Sequence, residues 1–122
     1  MLDGGRCTNL FVYGELCRAS VLRKQLGRIP PAAPALLEGF RRRLNLSTGY
    51  FEAHAAPHSR ITGWVLQGLE EQDLARLDRY EGTDYQRARV HLKRVTDNAI
   101  IEAEIYLGRV QTPEKEADLE GS

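Results

Sequence analysis

The segment from Glu71 to Tyr80 constrains this chain more than any other, because it carries the clearest helical period. Leu74, Leu77 and Tyr80 share one face, while Glu71, Asp73 and Arg76 fall on the wet side. Its acidic start suits the positive end of a helix dipole, and Gly82 supplies a stop. The runs around it are of a different kind. Leu10-Phe11-Val12-Tyr13 is a continuous apolar, β-prone stretch that reads as a buried strand, ended by Gly14. Ile61 to Leu69, with Trp64, Val65 and Leu66, reads as a second strand. Gln86 to Val95 alternates Ala88, Val90 and Leu92 against Arg87, Arg89 and His91, the pattern of a half-buried strand. An Asp97-Asn98 turn then returns the chain through Ile100 to Leu107 as its hairpin partner.

The remaining segments are less regular. Ser20 to Leu26 reads as a short helix capped by Ser20 and stopped by Gly27. Pro30, Pro31 and Pro34 mark a connecting loop. Ala35 to Leu46 contains a strand whose alternation is blurred by Arg41-Arg42-Arg43. Tyr50 to Ser59 has neither period and contains Pro57, so an irregular loop is expected. With 122 residues the chain fits one domain and can bury roughly two-thirds of its unfolded surface. The expected organisation is a flexible N-terminus over residues 1–8, a domain over 9–110, and a disordered polar, acidic tail over 111–122.

Seventeen basic and seventeen acidic residues give a formal net charge of +0, which argues against a strongly cationic nucleic-acid binder. Cys7 and Cys17 form no CxxC pair, so reduced thiols are expected rather than a zinc site or disulfide framework. No run of eighteen apolar residues and no signal-peptide core is present, and a soluble, cytoplasmic protein is expected. His54 and His58 are four apart, a metal-binding spacing on a helix, but Pro57 opposes a helix and both read as surface histidines. Trp64 is expected to fill core, and Asp78 to be a hydrogen-bonding residue near a helix end.

Two places combine special backbone with reactive or aromatic side chains. At Phe11-Val12-Tyr13-Gly14-Glu15-Leu16 a strand opens into a glycine turn, whose successive backbone N–H groups can form an anion-binding nest. Taken alone, a strand followed by glycine is more often a plain strand end. At Leu77-Asp78-Arg79-Tyr80-Glu81-Gly82, followed by Tyr85-Gln86-Arg87, a glutamate falls where the helix gives out. A partly desolvated carboxylate there has its pKa pushed upward, as a general base requires, whereas a solvated Glu at a helix end is the commoner case.

Together the two places resemble a known family. Leu10-Phe11-Val12-Tyr13-Gly14-x-Leu16 is similar to the opening motif of the γ-glutamylcyclotransferase-like proteins. Gly63-Trp64-Val65-Leu66, Leu77-Asp78-x-x-Glu81-Gly82 and Tyr85-x-Arg87 follow in that family's order. Pro34-Ala35-x-Leu37-x-Gly39-Phe40 resembles the AIG2-like branch in particular. The resemblance spans about residues 9 to 108. It implies a compact α+β fold, a mixed sheet curled into a small barrel with one or two short helices. It also implies an enzyme that releases 5-oxoproline from γ-glutamyl amines or γ-glutamyl peptides without metal or cofactor. In that reading Glu81 is the catalytic acid and base. Tyr13, Gly14, Glu15 and Leu16 hold the γ-glutamyl group, and Tyr85 lines the pocket.

The sequence departs from the family at two places. Glu15 stands where Ser or Thr is usual, and a carboxylate facing the pocket would repel the substrate's own. Tyr50-Phe51-Glu52-Ala53 replaces a Tyr-Pro-Ala stretch. A non-catalytic module binding a small molecule or a protein on the same fold is therefore the alternative. A nucleic-acid binder using Arg41, Arg42 and Arg43 ranks lower, since no aromatic platform interleaves the charges.

Overall fold

The computed structural model describes residues 7–108; the expected tail and the first six residues lie outside the described residues. In chain order the elements are β1 (Thr8–Val12), α1 (Ala19–Leu26), β2 (Ala32–Leu44), β3 (Phe51–Leu69), α2 (Glu71–Glu81), β4 (Tyr85–Arg94) and β5 (Ile100–Gly108). A short 3-10 turn, Glu15–Cys17, joins β1 to α1. The strands close into a barrel in the order β1-β3-β2-β4-β5. Four neighbouring pairs are antiparallel, and closure is made by the parallel pair β1 and β5, with Leu10 opposite Glu104. The expected α+β fold with a small mixed barrel is the one observed.

Two apolar clusters explain why the strands carry the residues they do. Phe11, Leu37, Val65, Leu92 and Ile105 fill the barrel interior. Leu10, Val12, Leu66 and Tyr106 face outward, against Leu22 and Leu26 of α1 and Leu74 and Leu77 of α2. β1 is thus buried on both faces, which is why its sequence is continuously apolar rather than alternating. The close packing of β1 on β3 depends on Gly63. A Cβ there would lie 2.4 Å from the Val12 carbonyl oxygen and 2.9 Å from the Phe11 ring.

Several expectations are corrected. Residues 50–59 are not an irregular loop: β3 begins at Phe51 and pairs with β2 from Leu44 to Ala32. The ladder runs from Phe40 opposite Ala55 to Glu38 opposite Arg60, so residues 56–59 bulge against Gly39. Pro57 sits in that bulge, where it forfeits no ladder hydrogen bond. Pro34 likewise lies inside β2, near its start, and its carbonyl accepts the Val95 N–H at 2.9 Å. The cap of α1 is Arg18 rather than Ser20, while Gly27 stops the helix with φ 79 as expected. Trp64 does not fill core: it lies on the outer face of β3 and is 45% exposed. His54 is buried, not on the surface, and its Nε2 lies 3.5 Å from Glu52.

Asp73 also reverses its expected placement. It is 1% exposed, and two bonds of 2.9 and 2.8 Å join it to the Arg28 guanidinium. Its other role is in a capping box, accepting the Glu70 N–H at 2.9 Å while the Glu70 side chain accepts the backbone N–H of Asp73. This pins the start of α2 to the segment after α1. No helix of the described residues is long and apolar enough to cross a membrane.

Candidate active site

The C-terminal end of α2, the turn after β1 and the tip of the β2–β3 hairpin converge on one cavity of about 190 Å³. That is below the usual range for drug-sized ligands and suits an amino-acid-sized group. All six residues expected at the site line it: Tyr13, Gly14, Glu15, Leu16, Glu81 and Tyr85. Tyr50, Phe51, Tyr80 and Tyr106 complete much of the wall. The sequence marks Tyr50 and Phe51 only as part of a stretch that departs from the family, in an expected loop, and it does not bring Tyr80 or Tyr106 to Gly14.

The turn after β1 supplies donors. Cys17 N–H bonds the Gly14 carbonyl at 2.9 Å, and Arg18 N–H bonds that of Glu15 at 3.0 Å. The first N–H groups of such a turn, those of Glu15 and Leu16, have no acceptor within it. Gly14 is open, since a Cβ there would meet nothing within 4 Å. Leu16 is buried and ties the turn to the helical cluster. The Glu15 side chain is one-third exposed at the cavity wall, 4.0 Å from the more exposed Arg18 guanidinium.

Glu81 closes α2, and Gly82 then turns the chain with φ 86 and ψ −177, a conformation open essentially to glycine. The carboxylate is held half-buried against the cavity. Burial raises its pKa to about 7, with no hydrogen bond or cation among the described residues acting to lower it. The negative end of the helix dipole acts in the same direction. Tyr13 stacks on Phe11 with ring centroids 5.9 Å apart. Its phenol is pushed well above the ordinary range, first by burial and then by the nearby Glu81 charge.

Two tyrosines are held by carboxylates. The Tyr85 hydroxyl donates to Glu52 Oε2 at 2.9 Å. The Tyr106 hydroxyl donates to Asp78 Oδ1 at 2.5 Å. Asp78 in turn receives Arg87 Nε at 2.9 Å and Nη2 at 3.1 Å, and Arg87 Nη1 reaches Glu104 at 2.5 Å. Asp78 is therefore a hydrogen-bonding residue near the helix end, as expected. Arg42 lies over the Phe51 ring at 4.4 Å, so part of the basic run supports the hairpin tip. Among the described residues no three or more His, Cys, Asp or Glu side chains gather as a metal site would require.

The model of the gamma-glutamyl cyclotransferase, AIG2-like family matches residues 10–122. AIG2-like protein C of Arabidopsis thaliana is 30% identical over 107 residues, covering 88% of this chain and 62% of that one. The solution structure of an Arabidopsis thaliana protein superposes with a TM-score of 0.79 at 27% identity, over 88% of this chain and 72% of that one. The crystal structure of an AIG2-like protein from Mus musculus, 21% identical, shares the fold with a TM-score of 0.69, over 89% and 82% of the two chains. The chain spans about three-fifths of the length of the curated AIG2-like relatives it matches.

Proposed function

The chain belongs to the gamma-glutamyl cyclotransferase, AIG2-like family, and we propose that it releases 5-oxoproline from a γ-glutamyl amine or γ-glutamyl peptide. The observation that carries this reading is the placement of Glu81, whose carboxyl burial pushes up to about 7, on the same small cavity as the Tyr13–Leu16 turn. In a γ-glutamyl amide the α-amine and the side-chain carbonyl belong to one molecule and lie a five-membered ring apart. Holding that molecule folded supplies much of the rate, so the protein needs few catalytic groups. Glu81 takes a proton from the α-ammonium. The freed amine attacks the γ-carbonyl carbon and forms the ring C–N bond. The old amide C–N bond breaks as Glu81 returns that proton to the departing nitrogen, and the surplus proton left on the ring nitrogen passes to the freed amine, giving the neutral lactam and an ammonium. The N–H groups of Glu15 and Leu16 are suited to the substrate carboxylate or the developing oxyanion.

One observation favours a second reading. Glu15 stands at the cavity wall, where its charge opposes a substrate carboxylate and the largely exposed Arg18 offsets it weakly. A pocket so altered suits a binding module without turnover.

The experiment is 5-oxoproline release by the parent and by Glu81→Gln over a panel of γ-glutamyl amides and dipeptides. Release by the parent alone supports both the reaction and its base. Silence across the panel from a folded parent moves the conclusion to the binding module. Equal release by both sinks the role of Glu81.

A further inference from the structure

We propose that Glu52 is a positioning residue of the cavity, turning the Tyr85 hydroxyl proton toward the β2–β3 hairpin so that the phenolic oxygen faces a bound molecule as an acceptor. The chain of contacts begins in the hairpin turn. Asn45 Oδ1 accepts the Ser47 and Thr48 N–H groups at 2.9 and 3.3 Å, which leaves the Asn45 side-chain nitrogen to donate outward. It donates to Glu52 Oε2 at 2.9 Å, the oxygen that also accepts the Tyr85 hydroxyl. His54 Nε2 lies 3.5 Å from the other oxygen, Oε1.

The Glu52 side chain is only 15% exposed. Burial pushes its carboxyl upward, but the bonds from Asn45, Tyr85 and His54 outweigh burial and hold it below the usual range. An ionised carboxylate only accepts, and Tyr85 has a single proton to give. Any second hydrogen bond at the Tyr85 oxygen must therefore be one that it accepts. Asp78 likewise accepts the Tyr106 hydroxyl proton, and Tyr106 also lines the cavity. Two phenolic oxygens thus offer acceptors near Glu81, and a protonated amine is the group they recognise. This use of Glu52 rests on the proposed function only in naming that amine as the substrate's α-ammonium.

The test uses protein labelled with carbon-13 at the tyrosine ζ carbon, whose five tyrosines each give one NMR signal. Tyr85→Phe deletes one signal and so assigns it. Glu52→Gln offers a neutral, weaker acceptor and is expected to move that signal while leaving the other four in place. A Tyr85 signal that stays put in Glu52→Gln overturns the proposal. Should that variant not fold, Glu52→Asp withdraws the charge by one methylene and must move the same signal to a smaller degree. In turnover, Glu52→Gln and Tyr85→Phe are each expected to raise KM about 10-fold with little change in kcat. The double variant is expected to be no worse than Tyr85→Phe; effects that multiply overturn the positioning role. A parent silent on γ-glutamyl amides sinks the cyclotransferase reading alone, and the Tyr85 signal still decides Glu52.

Discussion

The two ends of α2 hold carboxylates in opposite conditions. At the first turn Asp73 is nearly sealed from water, takes two bonds from Arg28 and one from the Glu70 backbone, and sits at the positive end of the dipole. The Arg28 hydrogen bonds, opposed by burial, hold its carboxyl below the ordinary value. At the last turn Glu81 sits at the negative end, and burial raises it to about 7. Burial alone therefore does not decide what a carboxylate does. Supplied with donors it becomes a clasp; denied them it becomes a base poised near neutrality.

The largest effect expected on that contrast is at the poised end. Glu81→Gln should cut 5-oxoproline release by about 100-fold or more while the fold, followed by circular dichroism, is unchanged. At the clasp the reverse is expected. Asp73→Ala should lose about 2–3 kcal/mol in urea unfolding, combining the lost cap and the charged hydrogen bonds, discounted because Arg28 is 44% exposed on its side chain. Activity per folded molecule should stay close to the parent's. Gly63→Ala separates these cases from a third. The intruding Cβ displaces β1, costing about 2 kcal/mol. It should also lower turnover about 10-fold by shifting the wall opposite Glu81. Loss of one property without the other would show that β1 does not connect core and cavity.

The smallest effect is in the pH dependence of stability, where the two ends have opposite signs. Asp73 has a folded pKa below its ordinary 3.8, so its stabilisation is present above that pH and lost as pH falls through the folded value. Glu81 is raised from 4.5 to about 7, so what it contributes is present below pH 4.5 and lost as pH rises through 7. Glu81→Gln should match the parent near pH 4 and exceed it by about 1 kcal/mol at pH 8 in urea melts. An equal difference at both pH values would mean that Glu81 is not desolvated. The same titration predicts that the parent's kcat/KM rises with pH through about 7.

Much of the site was legible because its parts are local. A strand ending at Gly14, a helix ending at Glu81-Gly82, and Tyr85 three residues later are each short-range patterns, and their order carried the family resemblance. The four added wall residues, Tyr50, Phe51, Tyr80 and Tyr106, were not legible as neighbours of Gly14. Tyr50 and Phe51 required that residues 50–59 be a strand, yet only pairing with β2 makes that segment one, across a bulge that hides its alternation. Glu52 could be marked as a departure from the family but not as a partner of Tyr85, 33 residues away.

Local patterns in the chain set the helix boundaries at Gly27 and Gly82, the double-faced burial of β1 and the alternation of β4, because dihedral preference and periodicity act within a few residues. Long-range packing set the burial of Asp73, the exposure of Trp64, the place of Pro34 and Pro57 within strands, and the hold of Glu52 on Tyr85. Each depends on a partner far along the chain: Arg28 for Asp73, β2 for Pro57, the Asn45 turn and β4 for Glu52. Polar and strand-edge groups take their environment from whatever barrel closure brings against them, and closure of the barrel lies beyond the reach of any local pattern.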